Sequence, residues 1–180
     1  MPDWSKLAKR IRVPAGFAFA VLYLWLARPD KASFWQGSIL VILGLAIRTL
    51  ASGYVRKNEE LATTGPYAYT RNPLYLGSLI LAIGFAWISR SPWILAGVVL
   101  MFFGIYLPVI AEEEKFLRQR FPEFQSYSGA VPRIFPRFTP YAKGAAKFSC
   151  ALYVKHREYN ALAGSVALLA TMALKVWRRV

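Results

Sequence analysis

Five apolar stretches divide the chain at intervals that predict membrane-crossing helices. A helical span needs roughly 20 mostly uncharged residues. The stretches approach that length and cover residues 13–27, 34–51, 74–89, 92–111 and 160–177. Only Arg90 and Ser91 separate the third stretch from the fourth, which predicts a tight helical hairpin with Ser91 as N-cap and Pro92 in the first helical position. The pattern therefore predicts an all-α, polytopic membrane protein with about five transmembrane helices.

Composition and length support one membrane domain. The chain has 180 residues, of which 56% are hydrophobic and 16% aromatic, and this is too apolar for an ordinary soluble fold. We expect a single domain over residues 1–180. Its parts are two N-terminal spans in 12–51, a catalytic hairpin and cofactor-binding region in 63–137, and an interfacial segment with the last span in 138–180.

The net charge of +14 could indicate nucleic acid, but the distribution of Lys and Arg indicates a membrane topology instead. With the N-terminus in the cytoplasm, only six of the 23 basic residues fall on the outer side. Such an excess of Lys and Arg on the inner side is typical of the cytoplasmic loops of membrane proteins. The six are Arg28, Lys31, Arg90, Lys175, Arg178 and Arg179. The last three leave two alternatives open: the final helix exits with its charges outward, or it lies partly in the interface.

The numbers of cysteine and histidine residues limit the disulfide and metal chemistry that is expected. Cys150 is the only cysteine and His156 the only histidine, so neither an internal disulfide nor a histidine metal site is expected. Basic residues precede the first apolar stretch as in a signal peptide, but no small-x-small cleavage site follows Trp25. We therefore expect a retained first span.

A helix start is predicted where the first long polar segment, residues 52–73, enters the third apolar stretch. Asn72 and Pro73 have the chemistry of an N-cap and a first helical residue. The unpaired backbone N–H groups there, together with Arg71, would hold an anion such as a carboxylate. On local chemistry alone, an Asn72 that only caps and an Arg71 that only snorkels to the interface are equally good interpretations.

The second long polar segment, residues 111–159, opens with three successive glutamates on the same predicted side. If the fourth helix continues, Glu113 shares an apolar face with Phe116, Leu117 and Arg120. Glu114 is placed to pair with Arg118 four residues on, and a solvated salt bridge is the favoured interpretation of that pair. Mutual repulsion in the acidic run favours a nearby cation. Pro108 is expected to bend the helix just before it.

The proline-rich segment 131–137 predicts an extended strap lying across the site. Arg133 and Arg137 in this strap would face lipid phosphates, or a substrate carboxylate or phosphate. The basic stretch 143–157 is interpreted as interfacial, with a solvated linker as the alternative.

Four motifs together resemble the isoprenylcysteine carboxyl methyltransferase and phospholipid methyltransferase group. The resemblance covers about residues 40–137, and its pairing of a helix start with a Glu-Glu block one hairpin later is specific. The motifs are Gly65-Pro66-Tyr67, Arg71-Asn72-Pro73-Leu74-Tyr75-Leu76-Gly77, Glu113-Glu114-Lys115-Phe116-Leu117, and Val131-Pro132-Arg133, with Phe121 and Tyr127 between the last two.

The resemblance implies a multi-pass membrane enzyme that binds S-adenosylmethionine in a cytosol-facing pocket and methylates a lipid or lipid-linked substrate, such as a prenylcysteine carboxylate, from the bilayer. No metal and no nucleic acid are expected. It implies catalytic roles for Arg133, Glu113 and Arg71. It implies cofactor contacts at Gly65, Tyr67, Arg71, Asn72, Pro73, Tyr75, Gly77, Glu113, Glu114 and Leu117.

One departure and three alternatives accompany this interpretation. The family commonly has His where this chain has Asn72, and Asn cannot transfer protons near neutral pH. A phospholipid amine could replace the prenylcysteine acceptor. An NADPH-dependent membrane reductase of the sterol reductase type shares the helix-start motif, although Glu113 and Glu114 argue against it. A scaffold that binds a partner or anionic lipid is the alternative outside enzymes.

Overall fold

The computed structural model describes residues 4–56, 59–142 and 147–178, and every regular element in them is helical. The predicted all-α class is therefore confirmed for this part of the chain. The helices are α1 (Trp4–Leu26), α2 (Lys31–Ser52), α3 (Pro73–Ser89), α4 (Pro92–Met101), α5 (Leu107–Arg120), α6 (Phe124–Ala130), α7 (Cys150–Lys155) and α8 (Tyr159–Trp177), with a 3₁₀ turn at Gly65–Ala68 and a π turn at Phe102–Tyr106.

Three helical segments among the described residues are long and apolar enough to cross a membrane: α2, the continuous rod Pro92–Arg120, and α8. α3 is apolar but has only 17 residues. α1 starts at Trp4, earlier than the apolar pattern predicts, so the basic residues of the N-terminus lie inside the helix. The structure thus supports a membrane protein, and the count of five spans stays a prediction.

α2 and α3 pack with their backbones in close contact at paired glycines. A Cβ added at Gly44 would lie 2.6 Å from the Gly77 carbonyl oxygen, and one at Gly84 would lie 2.8 Å from that of Gly37. Small residues allow two membrane helices to approach this closely. The contact fixes the start of α3 relative to α2, and the candidate site lies at that start.

The π turn precedes Pro108, where the sequence predicts a bend. Proline has no N–H to donate to the carbonyl four residues before it, which is that of Gly104. The indole Nε1 of Trp4 donates to the Gly104 carbonyl instead, at 3.0 Å. The first residue of α1 therefore satisfies an acceptor that the irregular rod leaves open.

α8 runs the length of the bundle. Near its start, Glu158 pairs with Arg48 of α2 at 2.8 Å. At its other end, Lys175 donates to the carbonyls of Leu24, in the last turn of α1, and of Ala27, just after that helix. Lys175 thus lies at the end of the bundle opposite Glu158, which favours the alternative in which the last helix exits with its charges outward. Of the basic stretch 143–157, residues 143–146 lie outside the described residues, and the rest includes the short helix α7.

Candidate functional site

Glu114 on α5 is the centre of an ion cluster that joins three segments of the chain. Its side chain is nearly buried, and Oε2 accepts from Arg133 Nε at 3.0 Å and lies 2.8 Å from Nη2. Oε1 lies 3.1 Å from Arg71 Nε, without the alignment of a directed hydrogen bond, and accepts from Asn72 Nδ2 at 3.1 Å. One carboxylate therefore holds two guanidiniums and an amide.

The expected solvated pair between Glu114 and Arg118 is wrong. Arg118 is exposed, while Glu114 is 6% exposed and turns toward the start of α3. A local pair on a helix surface contributes only a few tenths of a kcal/mol. A buried carboxylate needs full compensation of its charge, and Arg71 and Arg133 supply it.

Asn72 precedes the first residue of α3, as predicted, but its side chain does not cap the helix. Nδ2 instead donates to Glu114 and to the carbonyl oxygen of Arg133, the latter at 3.1 Å. Both interactions use Asn72 as a hydrogen-bond donor. At this position the side chain therefore connects α3 to α5 and to the segment after α6.

The strap predicted at residues 131–137 is confirmed. The backbone N–H of Arg71 donates to Pro132 O at 3.0 Å, and that of Arg137 donates to Tyr69 O at 2.9 Å. Thr70 Oγ1 donates to Ile134 O at 3.0 Å. These bonds lay the strap along the chain before α3 and place Arg133 over Glu114.

A second polar chain runs from α1 to α5. Arg12 Nη1 donates to Tyr75 Oη at 3.2 Å, and Tyr75 Oη donates to Glu113 Oε1 at 2.9 Å. The rings of Tyr75 and Tyr106 meet edge to face, with their centroids 6.0 Å apart. Neighbouring glutamates on α5 therefore face two different sets of partners. Within the second polar chain, Arg12, Tyr75 and Glu113 are all partly buried.

An apolar cavity of about 150 Å³ adjoins this polar chain between α1, α3 and the α4 rod. Tyr75 belongs to both the cavity wall and the polar chain. The cavity is smaller than the roughly 300–1,000 Å³ of ordinary ligand pockets, so it can take part of a ligand rather than a whole cofactor. Other lining residues are Gly16, Phe19, Ser78, Ala82 and Met101. A larger cavity, about 510 Å³, lies at the opposite end of the bundle around Asp30 and Arg90, away from both glutamates.

The remaining predicted site residues lie in the helices and turns around the two polar groups. Gly65 has φ +58°, and a Cβ there would meet the Tyr54 ring at 2.5 Å. Gly77 faces α2, and Leu117 packs against the cluster around Phe124. Pro73 is buried in the first turn of α3.

Two buried tyrosines lie beneath the ion cluster. Tyr127 Oη donates to the carbonyl oxygen of Tyr67 at 2.7 Å. Burial raises the pKa of both Tyr67 and Tyr127 above the ordinary value for tyrosine, so both stay neutral at physiological pH. Neither side chain can therefore serve as a phenolate base there.

Three further groups of the site were not predicted from the sequence: Arg12, Thr70 and the Ser128 carbonyl, which accepts from Arg71 Nη1 at 2.7 Å. Arg12 was counted only as a cytoplasmic charge. The available signal was a helical wheel extended from the first apolar stretch toward the N-terminus. It places Arg12 one turn before Gly16, which lines the cavity, and on the same face. Within the described residues, His, Cys, Asp and Glu side chains do not form a group of three or more that could hold a metal.

Apolar helices of spanning length, with two polar groups centred on Glu113 and Glu114 at one end, define a helical membrane protein with a polar site at the start of α3. The sequence profile of the family described as phospholipid methyltransferase matches residues 32–123. The chain belongs to this family, which is part of the group that its motifs resemble.

Two curated bacterial relatives are similar to the chain. The cobalt-zinc-cadmium resistance protein CzcN of Cupriavidus metallidurans is 34% identical over 72% of this chain and 63% of its own length. The nickel-cobalt-cadmium resistance protein NccN of Alcaligenes xylosoxydans xylosoxydans is 33% identical over 58% of this chain and 54% of its own length. The chain thus matches a little over half the length of these relatives. No solved structure matches it.

Proposed function

We propose that the protein is an S-adenosylmethionine-dependent methyltransferase that acts on a lipid-linked acceptor at the membrane surface. Membership of the phospholipid methyltransferase family supports methyl transfer as the reaction class. The observation that carries the proposal is the arrangement of Glu113 and Glu114, which project from α5 toward two separate sets of partners: Glu114 pairs with Arg71 and Arg133, and Glu113 accepts from Tyr75.

The donors and acceptors of the site fit this cofactor. S-adenosylmethionine supplies, when bound, an electrophilic methyl group on a sulfonium, together with an ammonium, a carboxylate and a ribose. Arg133 is 47% exposed in its side chain, so its guanidinium can reach a carboxylate while it stays paired with Glu114. Glu113 Oε2 has no hydrogen-bond partner in the described part of the chain and can accept from an ammonium or a ribose hydroxyl.

Other residues position these two groups. Glu114 holds the guanidinium of Arg133, and the backbone N–H of Arg71 and the side chain of Asn72 both donate to carbonyl oxygens of the strap. Methyl transfer is an in-line displacement, for which orientation and exclusion of water supply most of the acceleration. Asn72 can replace the histidine of the family in such a site, because methyl transfer does not require this side chain to donate or accept a proton.

Calorimetric titration of the detergent-solubilised protein with S-adenosylmethionine tests the proposal. Glu113→Gln should weaken binding roughly tenfold, the order of one charge-assisted hydrogen bond, and should lower transfer of a radiolabelled methyl group to a membrane lipid extract. Glu60→Gln, which alters an exposed carboxylate paired with Arg56, is the matched control. Failure of the wild type to bind the cofactor, combined with thermal protection by NADPH, would favour the reductase alternative.

The relatives suggest the physiological setting of the reaction. CzcN and NccN are named for resistance to divalent metals, so we propose that methylation by this protein also serves metal resistance. A host expressing the wild type should grow on higher cobalt or cadmium concentrations than one expressing Glu113→Gln at equal abundance. Equal growth of the two strains would contradict this role.

A further inference from the structure

The polar site carries more positive than negative charge. Arg71 and Arg133 share Glu114, and Arg12 reaches Glu113 only through Tyr75. Three guanidiniums therefore stand against two carboxylates. The proposed cofactor would add a further positive charge, because its ammonium and sulfonium outnumber its carboxylate. A site with this balance repels a cationic acceptor and attracts an anionic one.

Arg12 is the cation whose charge is least compensated. Arg12 donates to a neutral phenol oxygen, that of Tyr75 at 3.2 Å, whereas Arg71 and Arg133 contact a carboxylate directly. A guanidinium has five N–H donors. Arg12 therefore has donors to offer beyond the one given to Tyr75.

The same tyrosine places Arg12 beside the apolar cavity. Tyr75 lines the cavity, and Gly16, one helical turn after Arg12 on α1, lines it too. The volume of about 150 Å³ leaves room for a short hydrocarbon segment rather than for a whole lipid tail. A guanidinium next to a small apolar cavity is suited to a molecule with an anionic head and a hydrocarbon tail.

We propose that Arg12 binds the oxyanion of the methyl acceptor, a carboxylate or phosphate, while the adjoining hydrocarbon of the acceptor enters the cavity between α1, α3 and the α4 rod. The proposal rests on the methyltransferase function and names its acceptor class. Arg12 lies outside the matched residues 32–123, so this contact is supplied by the helix that precedes the family region.

The chemistry of an anionic acceptor also agrees with the residues present. A lone pair on the acceptor oxygen forms the new O–CH₃ bond, the S–CH₃ bond breaks, and its electron pair returns to sulfur. The products are a methyl ester and a neutral thioether, and no proton is released. An ammonium acceptor would instead need a base to remove its proton, and the side chain of Asn72 cannot do so.

Photolabelling in phosphatidylcholine nanodiscs tests the proposal. Four probes share one diazirine-bearing alkyl tail and differ in the head: carboxylate, phosphate, primary amide or primary amine. In the wild type, the two anionic probes should label peptides of α1, α3 and α4 roughly tenfold more than the amide, and the amine least. The ratio of carboxylate to phosphate labelling identifies which oxyanion the site prefers.

Variants of α1 separate charge from structure. Arg12→Gln should bring labelling by the anionic probes down to the level of the amide, and Arg12→Lys should retain most of the preference. Arg10→Gln, which changes an exposed residue of the same helix, should leave it intact. Equal labelling by carboxylate and amide in the wild type, or equal losses in the Arg10 and Arg12 variants, would overturn the proposal.

Calorimetric titration of the same samples with S-adenosylmethionine distinguishes the methyltransferase proposal from the proposed role of Arg12. Cofactor binding without an anionic preference would refute the role of Arg12 and leave the methyltransferase function standing. An Arg12-dependent anionic preference without cofactor binding would refute the methyltransferase function and leave an anion site at Arg12. Equal melting temperatures of Arg12→Gln and Arg10→Gln in detergent show that the Arg12 variant is folded.

Discussion

Two adjacent glutamates on α5 illustrate what single residues contribute and what sequence can predict of them. Helical phase alone distinguishes Glu113 from Glu114, because neighbours on a helix point about 100° apart. It cannot name their partners. Arg71 and Arg133 are far from Glu114 in sequence, and only the strap brings Arg133 over it. The residue types of the site were therefore predictable, whereas the buried pairing of Glu114 was not.

Glu114→Gln should destabilise the protein strongly. Arg71, 13% exposed in its side chain, would lose its carboxylate, and breaking a buried ion pair on one side costs about 3–5 kcal/mol. The expected result is a clear fall of the apparent melting temperature in detergent. The control Glu60→Gln removes an exposed carboxylate and should change stability by less than about 0.5 kcal/mol. Similar melting of the two variants would show that the cluster has no structural role.

At the scale of elements, the sequence predicts helix starts and the strap well, because proline acts locally. Pro73 and Pro92 begin α3 and α4 as expected, and the strap is extended where prolines exclude helix. The π turn at Phe102–Tyr106 was not predicted. Its five apolar residues match an ordinary helix, and only Pro108 after it signals an irregularity. The close contact of α2 and α3 was also missed, since glycines in an apolar run also fit lipid-facing positions.

Gly44→Ala should disturb this contact. The added methyl group would lie 2.6 Å from the Gly77 carbonyl and 2.7 Å from the Leu81 nitrogen, so the two backbones must separate. Overpacking of this kind costs about 1–3 kcal/mol and would also displace Tyr75 on α3. Gly164→Ala in α8 is the matched control, because a Cβ there meets nothing within 4 Å and alanine favours helix. Thermal unfolding in detergent should separate the two variants, and equal melting temperatures would contradict the contact.

At the scale of the molecule, α1 and α8 lie outside the family region, and each contacts it. α1 reaches the site through Arg12, and α8 is joined to α2 through Glu158 and Arg48. Arg48 also donates to Ser78 of α3. The apolar pattern predicted both helices as spans. It could not predict these attachments, because each depends on one polar residue near the end of an apolar run.

Glu158→Gln should loosen α8. The partners are 22% and 13% exposed in their side chains, so the loss should be about 2 kcal/mol, below that of a fully buried pair, and Arg48 keeps its bond to Ser78. Lys155→Gln breaks an exposed pair with Glu59 at 3.4 Å and should cost less than about 1 kcal/mol. Limited proteolysis of the segment before α8 measures both variants. Equal cleavage rates would contradict a role of Glu158 in attaching the helix.

The ion cluster around Glu114 also bears on how the chain enters the bilayer during synthesis. The carboxylate of Glu114 emerges from the ribosome before Arg133, its partner in the strap. Until that arginine has been made, Arg71 is the one guanidinium of the cluster that can neutralise Glu114, and an unpaired charge close to hydrocarbon is costly. The end of α5 should therefore remain in water until translation passes the strap, so that insertion of the rod and closure of the site occur in that order.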